Sequence, residues 1–295
     1  MTHDTEALRD RAILLYDAFT HEHRDRRTLL RQMTALAGST VAAEALIAGI
    51  AASPAAAAIV APDDTRLRVR KERFMAAPGV TLIGYFASPA TAARRPAVIV
   101  VHENRGLTPH IEDVARRMAL AGFDVVAPDF LTAQGGTPTD EDKARDLIAK
   151  ADYDAVIASA VATIGHMATG ARRARKVGIV GFCWGGALVN RVALAAGARL
   201  GAGVSYYGPA PAPEEAAKVQ SPLMLHYAGK DARVAQTAEP WVAALKAAHK
   251  PVEAFTYPGV DHAFNNDTSP QRYDKAAADL AWGRSVTFLH RHLDG

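Results

Sequence analysis

One cysteine, Cys183, stands in 295 residues, so no disulfide can form within the chain and no structural site of several thiolates can be built. No block of lysine and arginine is interleaved with aromatics, and the formal net charge is only +3, which leaves out a nucleic-acid-binding signature. There is no Gly-x-Gly-x-x-Gly loop and no His/Asp cluster with ligand spacing, so neither an organic cofactor nor a metal is expected. The long stretch almost free of charge, 33–62, owes its apolar character to alanine and contains Glu44. That is too weak for a stable membrane anchor. No internal repeat is found. What remains, 49% hydrophobic and 22% charged, is the composition of a globular chain long enough to bury a full core.

The first sixty residues differ from the rest. A polar leader of mixed charge ends in Asp25-Arg26-Arg27-Thr28-Leu29-Leu30-Arg31, and the alanine-rich stretch closes on small residues at 52–58. Paired arginines, two leucines, a weakly apolar run and small residues are the parts of a twin-arginine export signal, which predicts a periplasmic protein; a cytoplasmic one is the alternative. An alanine-rich helix packed on the body is the other reading of the same stretch, and Glu44 supports it. Either way residues 1–62 are expected to be an N-terminal extension outside the catalytic core, with the enzyme domain at 63–295.

From residue 66 the pattern becomes one of strands and helices in turn. Strands are expected at 66–70, 80–86, 96–103, 123–128, 176–182, 202–207, 222–227 and 252–257. Helices are expected at 111–121, 140–168 (with a break near Asp152), 187–196, 240–249 and 274–293. Continuous apolar runs such as Ala97-Val98-Ile99-Val100-Val101 suit buried parallel strands. The class is therefore α/β: a mainly parallel sheet flanked by helices, with an antiparallel hairpin at one edge. Its chemistry belongs at the carboxyl ends of the strands.

Gly181-Phe182-Cys183-Trp184-Gly185-Gly186 lies between a predicted strand and a predicted helix. This is the context of a nucleophile elbow, a sharp turn whose flanking glycines remove the clashes that side chains would make. The helix N-terminus beyond it favours a thiolate. A cysteine nucleophile needs a proton carrier and a group to orient it. Asp231, in Gly229-Lys230-Asp231, and His262, in Asp261-His262-Ala263-Phe264, both follow strands, and the order Cys, Asp, His is that of the α/β-hydrolase fold. Asp261 is the rival acid, awkwardly placed next to the histidine. In this fold the loop after the third strand supplies half of the oxyanion hole, so the backbone N–H groups of Asn104 and Trp184 are the expected donors. Glu103 falls near the thiol unless it pairs with Arg105. His102 and His110 flank the same loop. His226 reads as a packed core histidine, and His166, His249, His290 and His292 as surface residues.

The segments Val101-His102-Glu103-Asn104-Arg105-Gly106, Gly181 to Gly186, Gly229-Lys230-Asp231 and Asp261-His262-Ala263-Phe264 resemble the dienelactone hydrolase (carboxymethylenebutenolidase) family of α/β-hydrolases. The resemblance covers roughly 66–293, and cysteine in place of serine makes it specific. It implies Cys183 as nucleophile, His262 as base and then acid, Asp231 as its orienter, and a Glu103 that interacts with the resting thiol. It also implies arginines that meet a substrate carboxylate. The archetypal arginine just after the histidine is missing, since Phe264 is followed by Asn265 and Asn266; Arg105 and Arg145 are the remaining candidates.

The activity implied is hydrolysis of a small ester or lactone. Rival readings are an acyltransferase of the kind found in polyhydroxyalkanoate synthases, a glutaminase-like fold with a Gly-x-Cys-x-Gly elbow, and an exported binding protein on the same scaffold. The intact Cys183, Asp231 and His262 argue against the last.

Overall fold

A computed structural model describes residues 3–22, 24–51, 58–91, 93–169 and 176–294. Its centre is an eight-stranded sheet in the order β1-β2-β4-β3-β5-β6-β7-β8. β1 (Leu67–Ala77) and β2 (Val80–Pro89) make the antiparallel hairpin, and β2 runs antiparallel to β4 (Asp124–Asp129). β3 (Ala97–Val101), β4, β5 (Val177–Phe182), β6 (Ala202–Tyr206), β7 (Leu223–Ala228) and β8 (Val252–Tyr257) pair in parallel. Every residue of β3 to β7 is buried, as the apolar runs require.

Successive side chains of a strand face opposite ways, so each face packs its own layer. Val98 and Val100 join α4 (Pro109–Leu120) and α9 (Lys275–Leu293) through Ile111, Val114, Phe288 and Leu289. Ala97, Ile99 and Val101 join α6 (Tyr153–Thr169), α7 (Trp184–Ala196) and α8 (Ala232–Ala247) through Ala160, Leu188, Val189 and Trp241. The helical stretch expected over 140–168 is two helices, α5 (Glu141–Ala149) and α6, parted at the expected break.

β1 runs on to Ala77, seven residues past its expected end, and two helices begin three or more residues before their expected starts. The helix expected to begin at Pro240 begins eight residues earlier, because the Asp231 carboxylate accepts the Val234 N–H at 3.1 Å and caps it; Pro240 lies inside α8. The helix after Cys183 starts at Trp184, three residues earlier than expected.

The extension folds as α1 (His3–His21), α2 (Arg26–Ala37) and α3 (Thr40–Ile50), with Gly38 at φ +79 closing α2. They share a small core of Ile13, Tyr16, Phe19, Leu29, Met33 and Ile50. They are also fixed to the body: Arg9 pairs with Asp261 at 3.2 Å, Lys230 with Asp10 at 3.0 Å and Arg26 with Asp142 at 2.9 Å. Tyr16, Thr20 and His21 of α1 line a cavity together with Cys183 and His262, so the extension contributes to the walls over the thiol. Residues 52–57, within the small-residue end of the export-signal pattern, and His23 lie outside the described residues. Among the described residues no single helix is long and apolar enough to cross a membrane; α2 and α3 pass that test only together, bent by 111°.

Candidate active site

β5 ends at Phe182 and α7 opens at Trp184, leaving Cys183 to make the whole turn at φ 54, ψ −114. A non-glycine residue held there stores about 1–3 kcal/mol of strain. The turn survives because its neighbours can close on it. A Cβ on Gly181 would lie 2.2 Å from the Gly185 carbonyl oxygen, and one on Gly185 would lie 2.5 Å from that of His102. The Cys183 N–H donates to the Tyr206 carbonyl at 2.9 Å, and the Cys183 carbonyl accepts from Ala187 at 3.0 Å. The thiol is left buried, 5% exposed, at the foot of a cavity.

His262 follows β8 and Asp231 follows β7, and the two meet at 2.5 Å between Nδ1 and Oδ2. Burial pushes the His262 imidazole down, but the Asp231 charge, the nearby Cys183 and their hydrogen bonds outweigh it and carry it up to about 10. Burial raises the Asp231 carboxyl, yet His262 and the Val234 N–H hold it below the ordinary carboxylate range. The other ring nitrogen of His262, Nε2, is buried without a hydrogen-bond partner of ordinary geometry. Asp261, the rival acid, faces away and pairs with Arg9.

The turn after β3 carries Glu103, Asn104 and Arg105. Glu103 is not paired with Arg105; its Oε2 accepts from Asn266 Nδ2 at 2.9 Å, so an asparagine after the histidine reaches back to this turn. Asn104 donates its side-chain amide to the Thr20 carbonyl at 3.2 Å, and its N–H belongs to a turn closed from Gly106 to Glu103. Trp184 is the first residue of α7, so its N–H has no partner inside the helix. His102 lies behind the site and does not line it. Its Nδ1–H donates a hydrogen bond to the Glu103 carbonyl at 2.6 Å, its Nε2 accepts from the Phe130 N–H at 3.3 Å, and its ring stacks on Trp184 at 5.2 Å. His110 pairs with Asp267 at 3.1 Å. His226 is the expected core histidine, bonded to Tyr257 and Ser285, whereas His290, expected at the surface, is half-buried and stacks on Phe123 at 4.3 Å.

Tyr16, Thr20, His21, Glu141 and Arg272 line the cavity without having been singled out in the sequence. Tyr16, Thr20 and His21 of α1 face a cavity shared with Cys183, His262, Glu103, Asn104, Asn266 and Arg272. The His21 ring meets that of His262 edge-on at 4.8 Å, and burial followed by the His262 charge holds His21 well below the ordinary histidine range. Arg272, ten residues past His262, is 9% exposed, donates to Asp17 at 3.3 Å and leaves its Nε without a partner. It lines the cavity from the loop after His262, and its presence in that loop is the signal the sequence offers. Arg145 is buried and ion-paired with Asp142 and Asp146, its guanidinium 4.1 Å from the Phe19 ring, so it is neither a solvated residue nor near the thiol. Arg105 is held by Asp142 at 3.0 Å and by the Glu141 carbonyl at 2.9 Å. The cavity over the thiol measures only about 30 Å³, room for a water or two. A Cys183 sulfur and ring nitrogens of His21 and His262, all within 4.8 Å of one another, are the ligand-like group among the described residues.

Residues 82–293 match the model of the dienelactone hydrolase family. A protein of Escherichia coli (strain K12) named "Putative carboxymethylenebutenolidase" is 32% identical over 261 residues, spanning 82% of this chain and 94% of its own. Its namesake in Methylorubrum extorquens is 31% identical over 292 residues, spanning 91% and 97%. The crystal structure of a "Putative Dienelactone Hydrolase" of Klebsiella pneumoniae superposes with a TM-score of 0.70 at 28% identity, covering 76% of this chain and 99% of that one.

Proposed function

The chain belongs to the dienelactone hydrolase family and is a carboxylic ester hydrolase, and from this premise we propose that it cleaves a small ester or lactone through Cys183, His262 and Asp231. The observation that carries the reading is the strained Cys183 turn beside an imidazole whose far nitrogen is held by Asp231 at 2.5 Å.

Cys183 attacks the carbonyl carbon as a thiolate, forming the C–S bond while the carbonyl π electrons move to oxygen. The N–H groups of Trp184 and Asn104 receive that oxyanion. On collapse the C–O bond breaks, and protonated His262 gives its proton to the leaving oxygen. The thiolate charge is then gone, so one of the influences that raised His262 is removed. Neutral His262 takes a proton from water, hydroxide equivalents add to the thioester, and the C–S bond breaks to release the carboxylate. Asp231 keeps the ring in the tautomer this needs. Glu103, tethered by Asn266, and Arg272 supply the charges beside the thiol, and Arg272 is the cation available to a short substrate carboxylate.

Dienelactone hydrolysis followed by absorbance, with the full chain and Cys183→Ala side by side, tests the reading. Turnover by the wild type alone supports it; equal turnover by both refutes it.

Arg26-Arg27 also carry the proposal of twin-arginine export to the periplasm. The contacts of α1 favour a chain that keeps its extension, since cleavage within 52–57 would take Tyr16, Thr20 and His21 out of the site. N-terminal sequencing of the protein from separated cell fractions decides both points.

A further inference from the structure

A second cavity, about 450 Å³, lies between the extension and the body, fifteen times the volume of the one over the thiol. Tyr16, Arg105 and Glu141 line both, so the two adjoin across those side chains. Its wall is largely apolar, built by Phe19, Leu29, Leu30, Ile47 and Ala48. The size is that of a site for an organic ligand. Arg26 and Arg105, the arginines on that wall, are both spent on Asp142, at 2.9 and 3.0 Å. Among the described lining residues no cation is left for a substrate carboxylate, and Glu44 and Glu141 would repel one.

The direction of the reaction says which part of a substrate reaches it. The leaving oxygen must face His262, and the oxyanion must face Asn104 and Trp184. The second cavity contains none of these; it adjoins the first across Tyr16, Arg105 and Glu141, which leaves the acyl substituent as the part of the substrate that can extend toward it. We propose that this cavity binds the acyl chain of the substrate, so that the natural ester carries an uncharged apolar acyl group of several carbons and the N-terminal helices set its length. A short carboxylated lactone held at Arg272 would leave the cavity empty. The proposal rests on the Cys183 hydrolase reading and narrows its substrate.

The test uses the full chain and p-nitrophenyl esters from acetate to octanoate, beside an alkyl acetate series of the same lengths. Wild type is expected to gain at least about ten-fold in kcat/KM from acetate to octanoate, with no gain in the alkyl acetates. Ala48→Trp, at an exposed position of α3 facing the cavity, is expected to remove most of that gain, and Leu30→Trp likewise. Val41→Trp, on the same helix and 79% exposed, is expected to keep it. A flat wild-type profile overturns the proposal without any variant, and so does a gain that both cavity variants retain or one confined to the alkyl acetates. Hydrolysis of the acetate by Cys183→Ala at the wild-type rate overturns the triad instead, so the two failures are distinguishable.

Discussion

Asp231 makes two contacts from one carboxylate: Oδ2 meets Nδ1 of His262 at 2.5 Å, and Oδ1 accepts the Val234 N–H at 3.1 Å that starts α8. The residue that orients the imidazole is therefore fixed by the helix it caps, and the two functions separate on substitution. Asn caps a helix about as well as Asp, whereas Ala costs about 1 kcal/mol. Asp231→Asn is expected to keep the stability of the cap while losing that of the buried His262 pair, and to lower kcat by on the order of 10²–10⁴. Asp231→Ala is expected to lose activity and stability together. Kinetics and a melting curve on both variants check this.

The same pair predicts a pH dependence. Asp231 and Cys183, against the opposing effect of burial, carry His262 up to about 10. The imidazole thus keeps its proton through neutral pH and loses it only as pH rises through that value. kcat/KM, which reports the free enzyme, should fall on its alkaline side near pH 10. Removing the Asp231 charge leaves burial less opposed, so Asp231→Asn should move that limb to lower pH. A limb that stays in place would mean that another group sets it.

Asp261 adjoins His262 in sequence and still makes no bond to it; its partner is Arg9 of α1. Asp261→Asn is expected to keep kcat within about three-fold, since its carboxylate pairs with Arg9 and not with His262. A loss equal to that of Asp231→Asn would exchange the roles of the two carboxylates.

His21 covers His262 from the last turn of α1. Truncating it should open the cavity above the thiol. His21→Ala is expected to speed alkylation of Cys183 by iodoacetamide about ten-fold at neutral pH, the equivalent of about 1.4 kcal/mol of easier access. Unchanged labelling would mean that α1 does not limit entry.

Arg272 is buried at the cavity with its Nε unpartnered. Arg272→Met is expected to raise KM for the carboxylate-bearing dienelactone about ten- to a hundred-fold more than for a neutral ester, the range of a charge-assisted bond lost from a buried site. Equal effects on both substrates would reduce Arg272 to a packing role.

The body of the fold was legible because its signals are local. Buried strands read as apolar runs, and the glycines around Cys183 announce a turn that only close backbone approach explains. Asp231 and His262 were legible through chain order and strand ends, which the parallel sheet converts into proximity. The rest depends on contacts between distant segments. Nothing near Tyr16, Thr20 or His21 in sequence says that α1 lies over residues 103 and 262, because that placement comes from pairs such as Arg9–Asp261 and Lys230–Asp10. Arg272 is not legible because it lies ten residues past the histidine, and only the folded loop brings it to the same cavity. Pro240 looks like a helix start although it lies inside α8, while the cap nine residues earlier is also the candidate acid.

The central claim is a covalent one, that Cys183 carries the acyl group, and it is tested most directly by acid-quenching the full-length enzyme during turnover of p-nitrophenyl acetate and weighing the intact protein. The account predicts an added acetyl mass on the Cys183 peptide, removed by hydroxylamine and absent in Cys183→Ala. Steady turnover with no adduct in the wild type, together with an active Cys183→Ala, would contradict it.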